Sequence, residues 1–226
     1  MYRIPEGSER KDEWLTSTGS SFVRLLSQMG LGGIMTNHSA SRGNISCQDA
    51  LARLVEGNEQ FMRGMEFSGD ITPERRLDAA ENGQHPYAAI VSCSDSRVIP
   101  EAIFSAGIGD LFVIRTAGNI VDEVNTMGSL SYAVEHMGCN LVVVMGHTNC
   151  GAVTEAVNTY YMEHDIEIIN RIINEIGREK DVNKAARLNV GRSVKIIREQ
   201  LGEKPGVKII GAMYDIRSGE VEFLAL

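Results

Sequence analysis

The sequence of 226 residues lacks any apolar run near the ~20 residues that a bilayer span needs. It has no basic run either, and its net charge of −8 argues against a surface that neutralises nucleic-acid phosphates. Four cysteines are too few for a disulfide scaffold in a chain of this size. The N-terminal segment has no clean apolar stretch, so we expect no signal peptide. These absences predict a protein of the reducing cytoplasm that binds neither membrane nor nucleic acid.

Interdomain linkers, internal repeats and low-complexity tracts are also missing beyond about residue 45. We therefore predict one domain over residues 45–226 and an N-terminal extension of unknown role over residues 1–44. Within the extension, residues 20–35 carry an apolar pattern that indicates a short amphipathic helix. Glycines inside that pattern would end the helix early, so we expect a short helical arm.

Short apolar runs rich in β-branched residues alternate with helical patterns along the rest of the chain. Runs that are apolar on both faces favour strands buried in a parallel sheet. We predict an α/β fold with a central, mostly parallel sheet of four strands, an antiparallel C-terminal edge strand and flanking helices. The predicted strands are 87–91, 111–114, 141–145 and 207–211, followed by a hairpin of 212–216 and 221–225; the predicted helices are 46–61, 73–83, 126–136, 161–178 and 183–201.

Metal-binding residue types follow two of these strands directly. Cys93 comes after the first strand, and His147 and Cys150 come after the third. The carboxyl ends of parallel strands meet at one edge, where open α/β sheets bind their ligands. Two thiolates and one imidazole form a three-ligand zinc set that leaves a fourth position open. We expect one Zn²⁺ per chain, with a bound water that ionises near neutral pH.

Asp95 and Arg97 follow the first cysteine at alternate positions. In an extended stretch they would share one side with Cys93, and a guanidinium fork can hold a carboxylate bidentate and ionised. Asp95 would then orient zinc hydroxide, or become the fourth zinc ligand in a closed state. Each motif alone has an ordinary alternative, a core histidine beside an inert cysteine or a surface ion pair. Their joint position after two predicted parallel strands favours a metal site.

The two motifs Cys93-Ser-Asp-Ser-Arg97 and Gly146-His-x-x-Cys-Gly-Ala152 together resemble those of the β-class carbonic anhydrases, over roughly residues 46–226. The resemblance implies reversible hydration of CO₂ to bicarbonate and a proton, through attack by zinc hydroxide. It also implies a homodimer or a dimer of dimers. Carried over to this sequence, it assigns zinc binding to Cys93, His147 and Cys150, a catalytic dyad to Asp95 and Arg97, and the substrate pocket to Gln84, Phe112, Ala117, Tyr132 and Gly151.

The apolar stripe on the predicted helix 161–178 and the resemblance together suggest a homodimer. Gln84 and Phe112 are expected to reach the zinc pocket of the neighbouring subunit, so that a monomer has an incomplete site. A hydrolase of a CO₂ analogue such as CS₂ or COS on the same fold stays open, because sequence shows neither pocket width nor entry tunnel. A non-catalytic zinc-binding scaffold is a further alternative. The Asp95-Arg97 pair argues against it, because a scaffold needs no acceptor beside the metal.

Overall fold

A computed structural model describes residues 45–122 and 124–224. The extension over residues 1–44, with its predicted helix, lies outside the described residues. The five strands of the described chain are β1 Ala88–Cys93, β2 Leu111–Thr116, β3 Leu141–His147, β4 Lys208–Tyr214 and β5 Val221–Leu224. They form one sheet in the order β2-β1-β3-β4-β5, in which the first four are parallel and β5 is antiparallel to β4. The predicted fold class is confirmed.

Burial differs between the centre of the sheet and its edge. Every residue of β1 and β3 is buried, as expected for parallel strands covered on both faces. The neighbouring strand β2 is half-exposed along most of its length. It pairs with β1 on one side, and within the described chain it has no strand on the other. The chain therefore leaves one half-exposed sheet edge beside its most buried strand.

The first two described helices begin at capping residues that the sequence offers. Ser46 accepts a hydrogen bond from the Asp49 N–H, and Thr72 accepts one from the Arg75 N–H, each at the first turn of a helix. Pro73 takes the first position of the second helix, where its missing N–H costs nothing. The described helices are α1 Cys47–Met62, α2 Pro73–Asn82, α3 Pro100–Ile103, α4 Asn125–Glu135, α5 Gly151–Asn158, α6 Glu167–Ile176 and α7 Val182–Leu201, with a 3₁₀ turn at Ala117–Asn119.

The predicted helix over 161–178 was too long, since α6 begins only at Glu167. The Asn170 amide donates to the His164 carbonyl and accepts from the His164 N–H, which folds the preceding segment into a loop. Ile166, one of the isoleucines at helical spacing that favoured the longer helix, is 62% exposed. The two predicted strand segments 207–211 and 212–216 also form one continuous strand, β4. None of the described helices is both long and apolar enough to span a membrane.

Candidate metal centre

Three buried donor atoms converge at the carboxyl ends of β1 and β3. The parallel pairing of these strands sets Ser92 beside Met145, so that Cys93 and His147 leave the sheet at the same edge. Cys150 follows at the start of α5. The Sγ atoms of Cys93 and Cys150 are 3.9 Å apart, and all three ligand atoms lie within 4.8 Å of one another. Two thiolates about 2.3 Å from a tetrahedral zinc would be about 3.8 Å apart, so this spacing fits zinc.

His147 is fixed in the tautomer that a metal requires. Its Nδ1 lies 3.0 Å from the carbonyl oxygen of Thr148, and a carbonyl only accepts, so Nδ1 carries the proton. The other nitrogen, Nε2, is buried and has no hydrogen-bond partner among the described residues. A buried lone pair without a partner is costly unless something else uses it. The imidazole thus presents an unprotonated nitrogen toward the two thiols.

The sulfur of Cys93 sits among hydrogen-bond donors. It accepts from the N–H groups of Asp95 at 3.4 Å and Gly118 at 3.3 Å. A hydrogen bond from the Cys150 thiol, with those two N–H groups, lowers the pKa of Cys93 to about 4 despite burial. The same contact raises the pKa of Cys150, because losing its proton would leave two thiolates side by side. A dication between the sulfurs would remove that repulsion, and the donor set therefore fits zinc.

Arg97 holds Asp95 through both carboxylate oxygens. Its Nε donates to Oδ1 at 2.9 Å and its Nη2 donates to Oδ2 at 2.6 Å, a bidentate fork. These bonds keep the pKa of Asp95 well below its usual range. Oδ2 also lies 3.8 Å from Nε2 of His147, which puts the carboxylate beside the metal donors. In this arrangement Asp95 is paired with Arg97.

The expectation of an extended stretch from Cys93 to Arg97 was wrong. Strand β1 ends at Cys93, and the chain then turns, with the Arg97 N–H donating to Oδ1 of Asp95 at 3.0 Å. This local bond competes with continued strand pairing, as Asp side chains often do in turns. The turn, and not strand alternation, brings Asp95 and Arg97 to the same side.

Arg115, at the end of β2, is a supporting residue that sequence reasoning missed. Its Nε donates to the carbonyl of Cys93 at 3.2 Å, and its Nη2 donates to the carbonyl of Asp95 at 2.8 Å. The guanidinium thereby fixes the backbone on both sides of the Cys93–Asp95 turn. The only local signal was its place directly after the predicted strand 111–114, which does not reveal a contact 20 residues away.

Ala117 and Gly151 lie at the same edge of the sheet as the donor cluster. Ala117 is exposed and precedes Gly118, whose N–H reaches the Cys93 sulfur. Gly151 is exposed and begins α5 directly after Cys150, and no side chain caps that helix. Both positions are small residues adjacent in sequence to groups that surround the candidate metal position.

Gln84, Phe112 and Tyr132 are not brought to the donor cluster of their own chain. Gln84 is exposed and precedes β1 at its amino end, whereas Cys93 ends that strand. Five residue steps of strand separate Ala88 from Cys93, about 16 Å. The rings of Phe112 and Tyr132 lie 6.2 Å apart, and Phe112 pairs with Ala89 near the amino end of β1. These three predicted pocket residues therefore belong to the far end of β1 and β2.

The family model of carbonic anhydrase matches residues 88–221. The chain is therefore a member of the β-class carbonic anhydrase family. It is 45% identical over 104 residues to carbonic anhydrase 2 of Mycobacterium tuberculosis, a match that covers 46% of this chain and about half (49%) of that protein. It is also 30% identical over 198 residues to a carbonic anhydrase of Synechococcus elongatus, covering 76% of this chain and 70% of the relative.

Solved structures of this family share the fold. One of two tetrameric β-carbonic anhydrases from Sordaria macrospora matches with a TM-score of 0.57 and 26% identity, over 68% of this chain and 88% of that one. A Coccomyxa β-carbonic anhydrase in complex with acetazolamide matches with a TM-score of 0.55 and 26% identity, over 67% and 78% of the two chains. The family relationship thus extends from sequence to architecture.

Proposed function

We propose that this protein is a zinc-dependent carbonic anhydrase that interconverts CO₂ and water with bicarbonate and a proton. The observation that carries the proposal is the convergence of two thiols and an unpartnered imidazole nitrogen beside a carboxylate held by arginine. A structural zinc site would need a fourth protein ligand from cysteine or histidine, and the donor cluster of the described chain contains three.

Cys93, His147 and Cys150 would hold one zinc ion per chain. When bound, zinc supplies a water acidic enough to ionise near neutral pH, which is the nucleophile that hydration of CO₂ requires. The Nδ1–H bond to Thr148 fixes the imidazole, and the N–H groups of Asp95 and Gly118 fix the Cys93 sulfur. The ligands are thus held before the metal arrives, which lowers the cost of ordering them on binding.

Asp95 supplies an acceptor on the open side of the donor cluster. Held ionised by Arg97, its carboxylate only accepts hydrogen bonds, so it would accept one from the nucleophile and leave a lone pair of the nucleophile free for CO₂. Arg97 also donates to the Asn149 carbonyl at 3.3 Å, which ties the dyad to the loop that carries Cys150. The same carboxylate would be the fourth zinc ligand in a closed state.

The substrate side of the site needs space for CO₂ and donors for bicarbonate. Ala117 and Gly151 leave that side uncrowded, and a Cβ added to Gly151 would meet nothing within 4 Å. The N–H groups of Ala152 and Val153 contact the Cys150 sulfur, so the Gly151 N–H is the group at the start of α5 that would donate to an anion. It would stabilise bicarbonate better than neutral CO₂ and so favour charge development during hydration.

We propose further that the site is completed across a homodimer or a dimer of dimers. Gln84, Phe112 and Tyr132 lie at the far end of β1 and β2, along the half-exposed edge of the sheet. A second copy bound to that edge would bring them to the neighbouring donor cluster.

The four cysteines are unpaired, which supports a reducing compartment such as the cytoplasm.

One experiment tests the activity directly. Zinc is quantified in the purified full chain, and CO₂ hydration is then followed by stopped flow with a pH indicator. We expect stoichiometric zinc and measurable CO₂ hydration in wild type. Asp95→Asn should reduce the hydration rate about 100-fold or more, within the range for loss of an acid–base group. Stoichiometric zinc without hydration would identify a scaffold, and hydrolysis of CS₂ or COS in its place would identify the analogue hydrolase.

A further inference from the structure

A buried asparagine in the middle of α7 contacts the turn behind the metal centre. Asn189 is fully buried, and its Nδ2 donates to the Gly118 carbonyl at 2.7 Å. Its Oδ1 has no hydrogen-bond partner among the described residues. Asparagine is a poor residue for a helix interior, and a half-satisfied buried amide destabilises the core relative to an apolar side chain. Core packing alone therefore does not explain this residue.

The contacted turn has an unusual backbone that needs support. Gly118 and Asn119 both have left-handed φ values, of 66° and 48°. A Cβ on Gly118 would lie 2.6 Å from Cδ1 of Ile172, so α6 also packs closely against this residue. One helical turn beyond Asn189, the Ser193 hydroxyl donates to the Asn119 carbonyl at 3.4 Å. Two side chains on one face of α7 thus hold two successive carbonyls of the 3₁₀ turn.

The N–H group of Gly118 points toward the candidate metal site. It donates to Sγ of Cys93 at 3.3 Å, as described above. The direction of that N–H relative to the Gly118 carbonyl depends on the φ and ψ of Gly118, and a glycine has few steric limits on either angle. Holding the Gly118 carbonyl with Asn189 restricts the same residue, and so restricts the N–H as well. The contact runs from α7 through one glycine to a sulfur ligand.

We propose that Asn189, assisted by Ser193, is a positioning residue for the Cys93 thiolate. By fixing Gly118, it keeps an N–H on the sulfur in the geometry that the metal-bound thiolate needs. This inference rests on the proposed zinc site and adds a residue that touches neither metal nor substrate. Outer contacts of metal ligands typically contribute 10–100-fold to metal affinity, and we expect an effect at the lower end of that range.

The test compares Asn189→Leu with Val194→Ala, a matched control. Val194 is buried on the same helix, and its truncation weakens the core without removing a polar contact to the turn. Zinc release from each holoprotein to a chromophoric chelator is timed. The sulfur-to-metal charge-transfer band of the cobalt-substituted proteins is recorded, because this band responds to hydrogen bonds on the thiolate. Ser193→Ala is measured alongside, as it removes the longer of the two contacts.

Asn189→Leu is expected to release zinc about tenfold faster than wild type and to shift the charge-transfer band. Val194→Ala should leave both unchanged, and Ser193→Ala should change both in the same direction by less. Equal release and equal spectra for Asn189→Leu and Val194→Ala would overturn the proposal. If Asn189→Leu does not fold, unchanged release from Ser193→Ala overturns it, and faster release supports it. Absence of stoichiometric zinc from wild type would instead overturn the proposed function.

Discussion

The Asp95 carboxylate lies between the guanidinium of Arg97 and the imidazole of His147. Arg97 holds both of its oxygens, at 2.9 and 2.6 Å, while Oδ2 is only 3.8 Å from the metal-facing nitrogen of His147. Side-chain exposure is 51% for Arg97 and 14% for Asp95, so the pair is partly screened by solvent. We propose that Arg97 is the group that would keep Asp95 from a zinc ion bound at the donor cluster.

Arg97→Ala should therefore favour the closed state. Without the fork the pKa of Asp95 rises toward its usual range, yet the carboxylate stays ionised at neutral pH and is free to bind the metal. We expect loss of most hydration activity near pH 7 while zinc is retained, with recovery at higher pH as hydroxide competes for the fourth position. The visible spectrum of cobalt-substituted protein reports the fourth ligand. A titration of Arg97→Ala that superimposes on wild type, with equal activity, would rule this gate out.

Cys150→Ala should abolish stoichiometric zinc binding. It removes one of three converging donors and leaves the Cys93 sulfur and the His147 nitrogen too few to hold the ion tightly. The measurement is metal content by mass spectrometry after purification. Cys139→Ala is the matched control, since Cys139 is equally buried but donates to the Pro86 carbonyl, away from the cluster. Full zinc content in Cys150→Ala would show that the ligand assignment is wrong.

Mixing two inactive variants tests whether sites are shared between subunits. In a homodimer of Gln84→Ala chains, or of Asp95→Asn chains, both sites lack one required residue. A mixed dimer has one doubly defective site and one intact site. Random exchange at equal amounts makes half of the dimers mixed, and each mixed dimer has one intact site of two. The activity should therefore rise above the residual activity of either parent by about a quarter of the wild-type value. Subunit exchange is verified by native mass spectrometry of differently tagged chains. Verified exchange without a gain would place Gln84 outside the partner's site.

Asp122 offers a pH-dependent contribution to stability that is separate from the metal. Burial opposes its ionisation, but the N–H groups of Val124, Asn125 and Thr126 and the Thr126 hydroxyl all donate to its carboxylate and lower its pKa. Because the folded pKa lies below the unfolded value, the stabilisation is complete above about pH 4 and is lost as pH falls through the folded pKa.

Asp122→Ala should thus lower the free energy of unfolding near pH 7 by about 1 kcal/mol, the usual contribution of a helix cap. The difference from wild type should shrink toward acidic pH. Asp122→Asn keeps a capping oxygen without the charge. Its free energy of unfolding should therefore lack the acid-dependent loss that the Asp122 carboxylate gives to wild type. Urea unfolding at several pH values measures all three. A deficit in Asp122→Ala that stays constant to the lowest pH would mean that the carboxylate is not the source.

The donor cluster could be predicted because its residues directly follow strands that the sequence reveals. Cys93 and His147 each follow an apolar run, and parallel pairing then forces the two ends together. Helix α5 was not predicted, since it is short and begins at Gly151, and the preceding Cys150 provides no side-chain cap. The contacts from Arg115 and Asn189 join residues 20 and 71 positions apart, respectively, and leave no periodic pattern in the sequence. Gln84, Phe112 and Tyr132 lie away from the donor cluster of their own chain, and the proposal that they serve a second chain concerns contacts that one sequence does not describe.

The sheet order also has a consequence for how the protein acquires its metal. Strand β1 carries Cys93, but the chain must first build β2 and α4 before β3 returns to pair on the other side of β1. The sulfur ligands are separated by 57 positions, so the cluster does not exist until this long crossover has closed. A zinc ion bound at this cluster would therefore not nucleate folding as it does in small domains with local ligands. We expect the metal to leave the folding rate almost unchanged and to slow unfolding, which makes it a determinant of the lifetime of the native state.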